Sequence, residues 1–342
     1  MRRGAVAAGL GHGRRFALVH DYLLVLRGAE RTFAAMADRW ADAPNYTTLF
    51  DNEGTCRRFD GREVHTSWLQ HLGVRQGSFR KLLPMFPRAV ESLDLYGAEV
   101  VISSSSAFAH GVRVPDGAVH VSYCHSPFRY VWHERRRALS EVPVWGRPAL
   151  DQMLTRVRRW DRARAAEVTH YVANSKLTQR RIHEFYDRDC RVVHPPVEID
   201  RFEPGTAEDW FLMVGELVDH KRVDVALEGA RRAGVRVKVV GDGPERERLA
   251  ARFDNADFLG RVTDAELADL YASAQALLVA NTEEFGITAV ESQASGRPVV
   301  APAAGGASET VLDGVTGILL EDPTEDAFAE VLRNVDFDGF WS

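Results

Sequence analysis

The sequence predicts an α/β protein made of two doubly wound parallel sheets, and three observations lead to that class. Strand-length runs such as "AEVVISSS" and "VRVKVVGDG" are apolar almost throughout, as strands buried on both faces must be. Segments with apolar residues at helical spacing, such as "GAERTFAAMADRW", stand between them, and parallel neighbours need such crossovers. The chain has 342 residues, a length that suggests two domains rather than one.

The opening "MRRGAVAAGLGHGRR" begins like a signal peptide, but its apolar run is short and broken by glycine. Residues 1–14 are therefore expected to be a disordered leader. From Arg15 the strand "RFALVH" leads to a helix over Gly28–Trp40, and "AEVVISSS" and "AVHVSYCH" are the next strands. "RVRRWDRARAAE" reads as a charged helix, followed by the strand "VTHYVANS" and the helix "KLTQRRIHEFY". Pro195-Pro196 forces an extended backbone. This sets a first domain at 15–194, a linker at 195–205 and a second domain at 206–342. In the second domain "WFLMVGEL", "VRVKVVGDG", "ADFLGRV", "QALLVAN", "RPVVAPA" and "TGILLE" are strands with helices between them. Ligands of such sheets bind beyond the carboxyl ends of the strands. That rule points to the loops that begin at His20, Ser103, His125, Gly215, Gly241 and Asn281, on two Rossmann-like domains expected to face each other across a cleft.

Composition narrows the function classes. An apolar share of 45% and a charged share of 27% are those of a soluble globular protein. A formal net charge of −6 argues against a general nucleic-acid binder. The 3 cysteines are odd in number and form no CxxC pair, which favours a reduced, cytoplasmic protein without a zinc or disulfide framework. No stretch has the length of a membrane span. His71–Val90 is basic and apolar together, a candidate contact with the inner face of the cell membrane; an ordinary surface helix fits the same pattern equally. The histidines show no metal spacing. "DRD" at Asp187–Asp189 imitates a metal motif but reads as a solvated turn, so no metal site is expected.

The stretch that asks for chemistry is "NTEEFGITAVESQASGRPVV". Glu283 lies in the loop after a short apolar strand, and Glu291 on the second turn of a helix beginning near Ile287. Gly286 between them lets backbone approach a ligand without a Cβ in the way, and the free N–H groups at the helix start suit a phosphate. A carboxylate in the loop can accept from sugar hydroxyls, and one on the helix from a ribose. For a single carboxylate, a helix-start surface charge would be the better explanation.

This stretch resembles the E-x7-E motif of family 4 of the retaining glycosyltransferases, with Glu283 and Glu291 as its glutamates. The resemblance runs on through "HDYLLVLRGAERTF", "YCHSPFRYVW", "YVANSKLTQRRI", "VVHPPVEIDRF", "VGELVDHKRVD", "VVGDGPERERL" and "FLGRVTDAELADLYASAQALLV". The versions of "HDY", "YCHSPFRYVW" and "DHKRVD" are most similar to bacterial mannosyltransferases of polysaccharide assembly. The resemblance implies a GT-B fold, a nucleotide-sugar donor in the second domain, with GDP-mannose the leading candidate, and a glycan or polyprenyl-linked acceptor at the first. It also implies transfer without a metal.

By position in the motifs, Lys221 is the diphosphate cation, because a departing nucleoside diphosphate carries negative charge. Arg222 is a second, weaker candidate. Glu283 is placed at the donor sugar and Glu291 at the ribose, with backbone at Gly286 and Ile287 against phosphate or sugar. The base is expected against the loop holding Arg261 and Val262. His125, closing a strand, is assigned to the transferred sugar and the acceptor. Gly28 and Arg129 are assigned to the acceptor side; a salt bridge is the alternative for Arg129. Two departures stand out: Glu216 occupies a place where family members commonly have arginine, and Arg27 precedes Gly28 where a second glycine is usual.

The expected activity is thus retaining hexosyl transfer, mannose being the favoured sugar. Two rivals remain, a non-catalytic sugar-nucleotide-binding partner subunit and a nucleotide-sugar epimerase of the same fold. Glu216 and an early chain end after "VDFDGFWS" motivate the first; the E-x7-E pair argues against the second.

Overall fold

A computed structural model of the chain describes residues 13–73 and 79–340. Most of the expected leader lies outside the described residues. The chain forms two compact units: one contains the described residues up to Asn174 with Thr178–Pro196, and the other contains Ser175–Leu177 with those from Val197 onward.

The first unit holds a seven-stranded sheet: β1 Phe16–His20, β2 Asn45–Thr47, β3 Val64–Thr66, β4 Val100–Ser105, β5 Val119–Cys124, β6 His170–Ala173 and β7 Cys190–Val192. The strand order is β3-β2-β1-β4-β5-β6-β7, every neighbouring pair parallel. Core residues alternate along β1: Ala17 and Val19 join one hydrophobic cluster and Leu18 the other, so both faces are covered, as the continuous apolar runs require. On one face Phe33 and Ala37 of the helix Gly28–Arg39 are completely buried. On the other, Val157 and Ala165 of the helix Arg147–Glu167 are buried.

The second unit holds six parallel strands: β8 Phe211–Val214, β9 Val237–Val240, β10 Ala256–Gly260, β11 Leu277–Leu278, β12 Val299–Pro302 and β13 Gly317–Leu320, in the order β10-β9-β8-β11-β12-β13. Phe211 and Met213 point into one core, Leu212 into the other. In each sheet the strand order reverses at one place, beside β1 in the first and beside β8 in the second. Loops leaving the carboxyl ends of β1 and β4, and of β8 and β11, diverge there and leave a crevice.

β2, β3 and β7 are not apparent from the sequence: each is three residues long, too short to show a period, and exists by pairing with a neighbour. The charged helix begins at Arg147 rather than Arg156, with Pro148 in its first turn, where a missing N–H costs nothing. Within His71–Val90, the side chains of Phe86, Ala89 and Val90 are buried, and Leu82, Leu83 and Met85 pack against that core. The core thus accounts for these residues, whereas Leu72 is exposed and residues 74–78 of that stretch lie outside the described residues. Among the described residues no helix is long and apolar enough to cross a membrane.

Candidate active site

In the second unit two loops meet where the strand order reverses. The loop after β8 runs through Glu216 into a short turn, Asp219–Lys221, and then the helix Val223–Ala233. The loop after β11 carries Glu283 and ends at Gly286, whose φ of 80° starts the helix Ile287–Ala294. The ammonium of Lys221 donates to the carboxylate of Glu283. Their side chains are 25% and 27% exposed, so solvent reaches both partners and the pair is not a buried structural bridge. Below it lies a cavity of about 30 Å³ lined by Glu216, Lys221, Asn281, Glu283 and Thr288. The expected diphosphate cation and the expected sugar carboxylate are therefore brought together.

Glu216 lines the same cavity. The position that commonly carries a cation thus adds a second carboxylate beside Lys221, which lowers the attraction for an anionic ligand. Glu216→Arg is expected to tighten nucleoside diphosphate binding about tenfold, the scale of one charge-assisted contact. Isothermal calorimetry checks this, and unchanged affinity would place the phosphates elsewhere.

Glu291 is more enclosed than a surface charge. Arg201 donates to its Oε1 at 2.6 Å and the Tyr271 hydroxyl to its Oε2 at 3.1 Å. Burial, with the adjoining Glu291 carboxylate, holds the Tyr271 phenol well above its ordinary pKa, so it stays a donor. Arg222 takes a left-handed backbone, φ 50°, and its exposed guanidinium donates to the Pro323 carbonyl at 3.1 Å. Arg261, just past β10, is exposed, while Val262 packs against the core.

The loops are held by backbone approaching backbone. A Cβ on Gly241 would sit 1.8 Å from the carbonyl oxygen of Gly215, and one on Gly306 would sit 1.9 Å from that of Phe285. Gly306 N–H donates to the Glu283 carbonyl at 2.9 Å, so the "AAGGAS" loop after β12 fixes the backbone that carries Glu283. Sequence reasoning missed Gly306, Arg201 and Tyr271. The paired glycines after a strand were the available signal for the first.

In the first unit, His125 follows β5 and is 9% exposed. Its Nε2 lies 2.8 Å from Ser104 Oγ, which lies 3.1 Å from His20 Nδ1. His20 Nε2 is 4.0 Å from the Glu30 carboxylate. Next to His20, Asp21 is 2% exposed and accepts from the N–H groups of Ser106, Ala107, Phe108 and Ala109 at 2.5–3.0 Å. Gly28 begins the helix Gly28–Arg39, with Arg27 as the residue before it. Arg129 faces Glu134 at 3.8 Å. Farther along the same motif, Trp132 donates to the buried Asp161 at 2.7 Å, so the motif's tryptophan is a packing anchor. Among the described residues no cluster of His, Cys, Asp and Glu has the geometry to hold a metal.

Comparison with known proteins bears on both units. Residues 197–335 match the family described as glycosyl transferases group 1. A D-inositol 3-phosphate glycosyltransferase of Geodermatophilus obscurus is 36% identical over 206 residues, covering 50% of this chain and 46% of that protein. One of Streptomyces avermitilis is 28% identical over 284 residues, covering 67% and 61%. The chain thus spans about half to three fifths of the curated relatives it matches. Among solved structures, Anabaena Alr3699/HepE in complex with UDP and glucose superposes with a TM-score of 0.68 at 17% identity, covering 94% of this chain and 89% of that one. WaaG, a glycosyltransferase involved in lipopolysaccharide biosynthesis, superposes with a TM-score of 0.69 at 17% identity, covering 93% and 89%. The chain therefore has the two-unit parallel α/β architecture of the GT-B glycosyltransferases, and its residues 197–335 carry the group 1 signature.

Proposed function

We propose that the protein is a retaining glycosyltransferase that moves a hexose from a nucleotide-sugar donor to a hydroxyl-bearing acceptor. The observation that carries this reading is the solvent-reached Lys221–Glu283 pair where the second sheet's strand order reverses. A donor would divide the pair: its diphosphate takes the ammonium, and its sugar takes the carboxylate. Lys221 then offsets charge on the leaving diphosphate, and Glu283 stabilises the positive charge that develops on the sugar ring. Glu291 receives the ribose hydroxyls, and loop backbone at Gly286 and Ile287 lies against phosphate. The base rests by Arg261 and Val262. His125 serves the sugar and acceptor side, with Gly28 and Arg129. No metal takes part, because Lys221 supplies the cation.

Mannose from GDP-mannose, passed to a lipid-linked or free glycan, is the first choice of substrates on the motif resemblance. A second reading, transfer to an inositol phosphate, is favoured by the names of the relatives matched over 206 and 284 residues. The UDP complex of a structural neighbour makes UDP-sugars the second donor class to try.

The test is release of nucleoside diphosphate from GDP- and UDP-hexoses, with each acceptor class and with excess EDTA. Acceptor-dependent release that survives EDTA is expected. Binding without turnover would favour the partner-subunit reading, a changed sugar without transfer the epimerase reading, and dependence on Mn²⁺ would remove the metal-independent mechanism. Thermal shift is the companion measurement: a diphosphate at 100 times its Kd should stabilise the fold by about 2.7 kcal/mol.

A further inference from the structure

We propose that Ser104 couples His20 to His125, and that this chain of groups, anchored by Glu30, fixes which nitrogen of His125 carries the proton. The consequence for catalysis rests on the reading of His125 as part of the transfer site; the coupling itself does not.

A hydroxyl has one proton to donate and two lone pairs to accept with. Ser104 Oγ stands between His20 Nδ1 at 3.1 Å and His125 Nε2 at 2.8 Å. Ser104 is fully buried, and His20 and His125 are 2% and 9% exposed, so bulk water does not stand in for either partner. Ser104 cannot donate in both directions. The direction is chosen at the far end, where Glu30 Oε1 lies 4.0 Å from His20 Nε2. A carboxylate there favours the proton on Nε2 of a neutral ring, which leaves Nδ1 as an acceptor. Ser104 then donates to His20 and accepts from His125 Nε2–H. His125 is left with Nδ1 as its acceptor nitrogen.

The anchors are fixed independently. Glu30 Oε2 accepts from the Arg27 N–H at 3.1 Å, and the His20 ring stacks on Phe33 with centroids 4.9 Å apart. His125 N–H donates to the Ser105 carbonyl at 2.8 Å, and its own carbonyl accepts from Thr178 Oγ1 at 3.0 Å. The backbone of His125 is thus pinned. The other titratable ring against it, Tyr123 at 5.2 Å, spends its hydroxyl on the Val193 carbonyl and does not compete for Ser104. The arrangement makes Ser104 and Glu30 positioning residues: they set the tautomer and orientation of the His125 ring.

The experiment is a long-range ¹⁵N–¹H correlation spectrum of the full chain labelled at histidine, recorded at about pH 8, where an ordinary imidazole is neutral. The expected result is the Nε2–H tautomer at both His20 and His125. In Ser104→Ala, His125 should become a mixture of tautomers while His20 keeps Nε2–H. In Glu30→Gln, with the amide oxygen kept on the Arg27 N–H, an NH2 donor faces His20 Nε2, so both rings should shift towards Nδ1–H. A His125 found as Nδ1–H in the native chain, or left unchanged by both substitutions, overturns the proposal. The kinetic companion is kcat for transfer, expected to fall on the order of tenfold in Ser104→Ala with little change in donor KM, the scale of one mis-set hydrogen bond. If the chain proves to have no transferase activity, the spectra still decide the coupling, so the two ideas fail separately.

Discussion

Lys221→Ala should lower kcat/KM by a factor on the order of 10²–10³ while moving Tm by no more than about 3 °C. The two expectations have one origin. In the ligand-free chain Lys221 is paired with Glu283 and both side chains are about a quarter exposed, and a pair so open to solvent contributes about 1 kcal/mol or less to stability. On the proposed reading the same ammonium faces, in the transition state, a diphosphate that gains charge as the sugar leaves, and nothing else described in that cavity is cationic. Glu283→Gln is the control. It leaves Lys221 available for phosphate, so nucleoside diphosphate affinity should hold or improve, yet it removes the charge that steadies the sugar ring, so turnover should drop. Steady-state kinetics with calorimetry on both variants separates the roles. Native turnover in Lys221→Ala would falsify the placement of the phosphates.

Asp21→Ala should act in the opposite way and cost the first unit about 4 kcal/mol or more. The carboxylate accepts from four backbone N–H groups, at Ser106, Ala107, Phe108 and Ala109. Three of the four bonds are buried, and alanine leaves the donors without a partner at roughly 1–3 kcal/mol each. Asp21→Asn retains one acceptor oxygen and should recover part of the loss. Urea unfolding followed by circular dichroism provides the midpoints. A loss below about 1 kcal/mol in Asp21→Ala would mean that the loop after β4 finds other acceptors or opens to water.

These two residues also mark how far the sequence could be read. Lys221 and Glu283 sit in short motifs after apolar runs, and their chemistry is local: a loop, a cation, a carboxylate and a glycine before a helix. The strands that carry them are equally local, because burial on both faces writes a continuous apolar run. Asp21 is different. Its partners lie 85 to 88 positions later in the chain, and nothing in "HDY" announces a loop that the sheet brings alongside. Ser104 and His20 are hidden for the same reason, since adjacent strands set their contact while serine and histidine are unremarkable in either strand. Glu291 was legible as a candidate ribose carboxylate, whereas its clamp by Arg201 and Tyr271 depends on a helix and a turn that the motif does not contain. The three-residue strands β2, β3 and β7 complete the pattern: what is fixed by a neighbour leaves little trace in its own residues.

The glycine contacts at Gly241 and Gly306 have a consequence for redesign. At these two contacts the nearest neighbour is backbone, one peptide plane against another, and peptide planes are the same in every protein. Random substitution can therefore break the spacing of these loops but has no means of adjusting it. On the proposed reading, a library meant to change the sugar accepted should hold these two positions constant. Its diversity belongs at Glu216, Asn281 and Thr288, which line the cavity with side chains and can alter its chemistry while the loops keep their places.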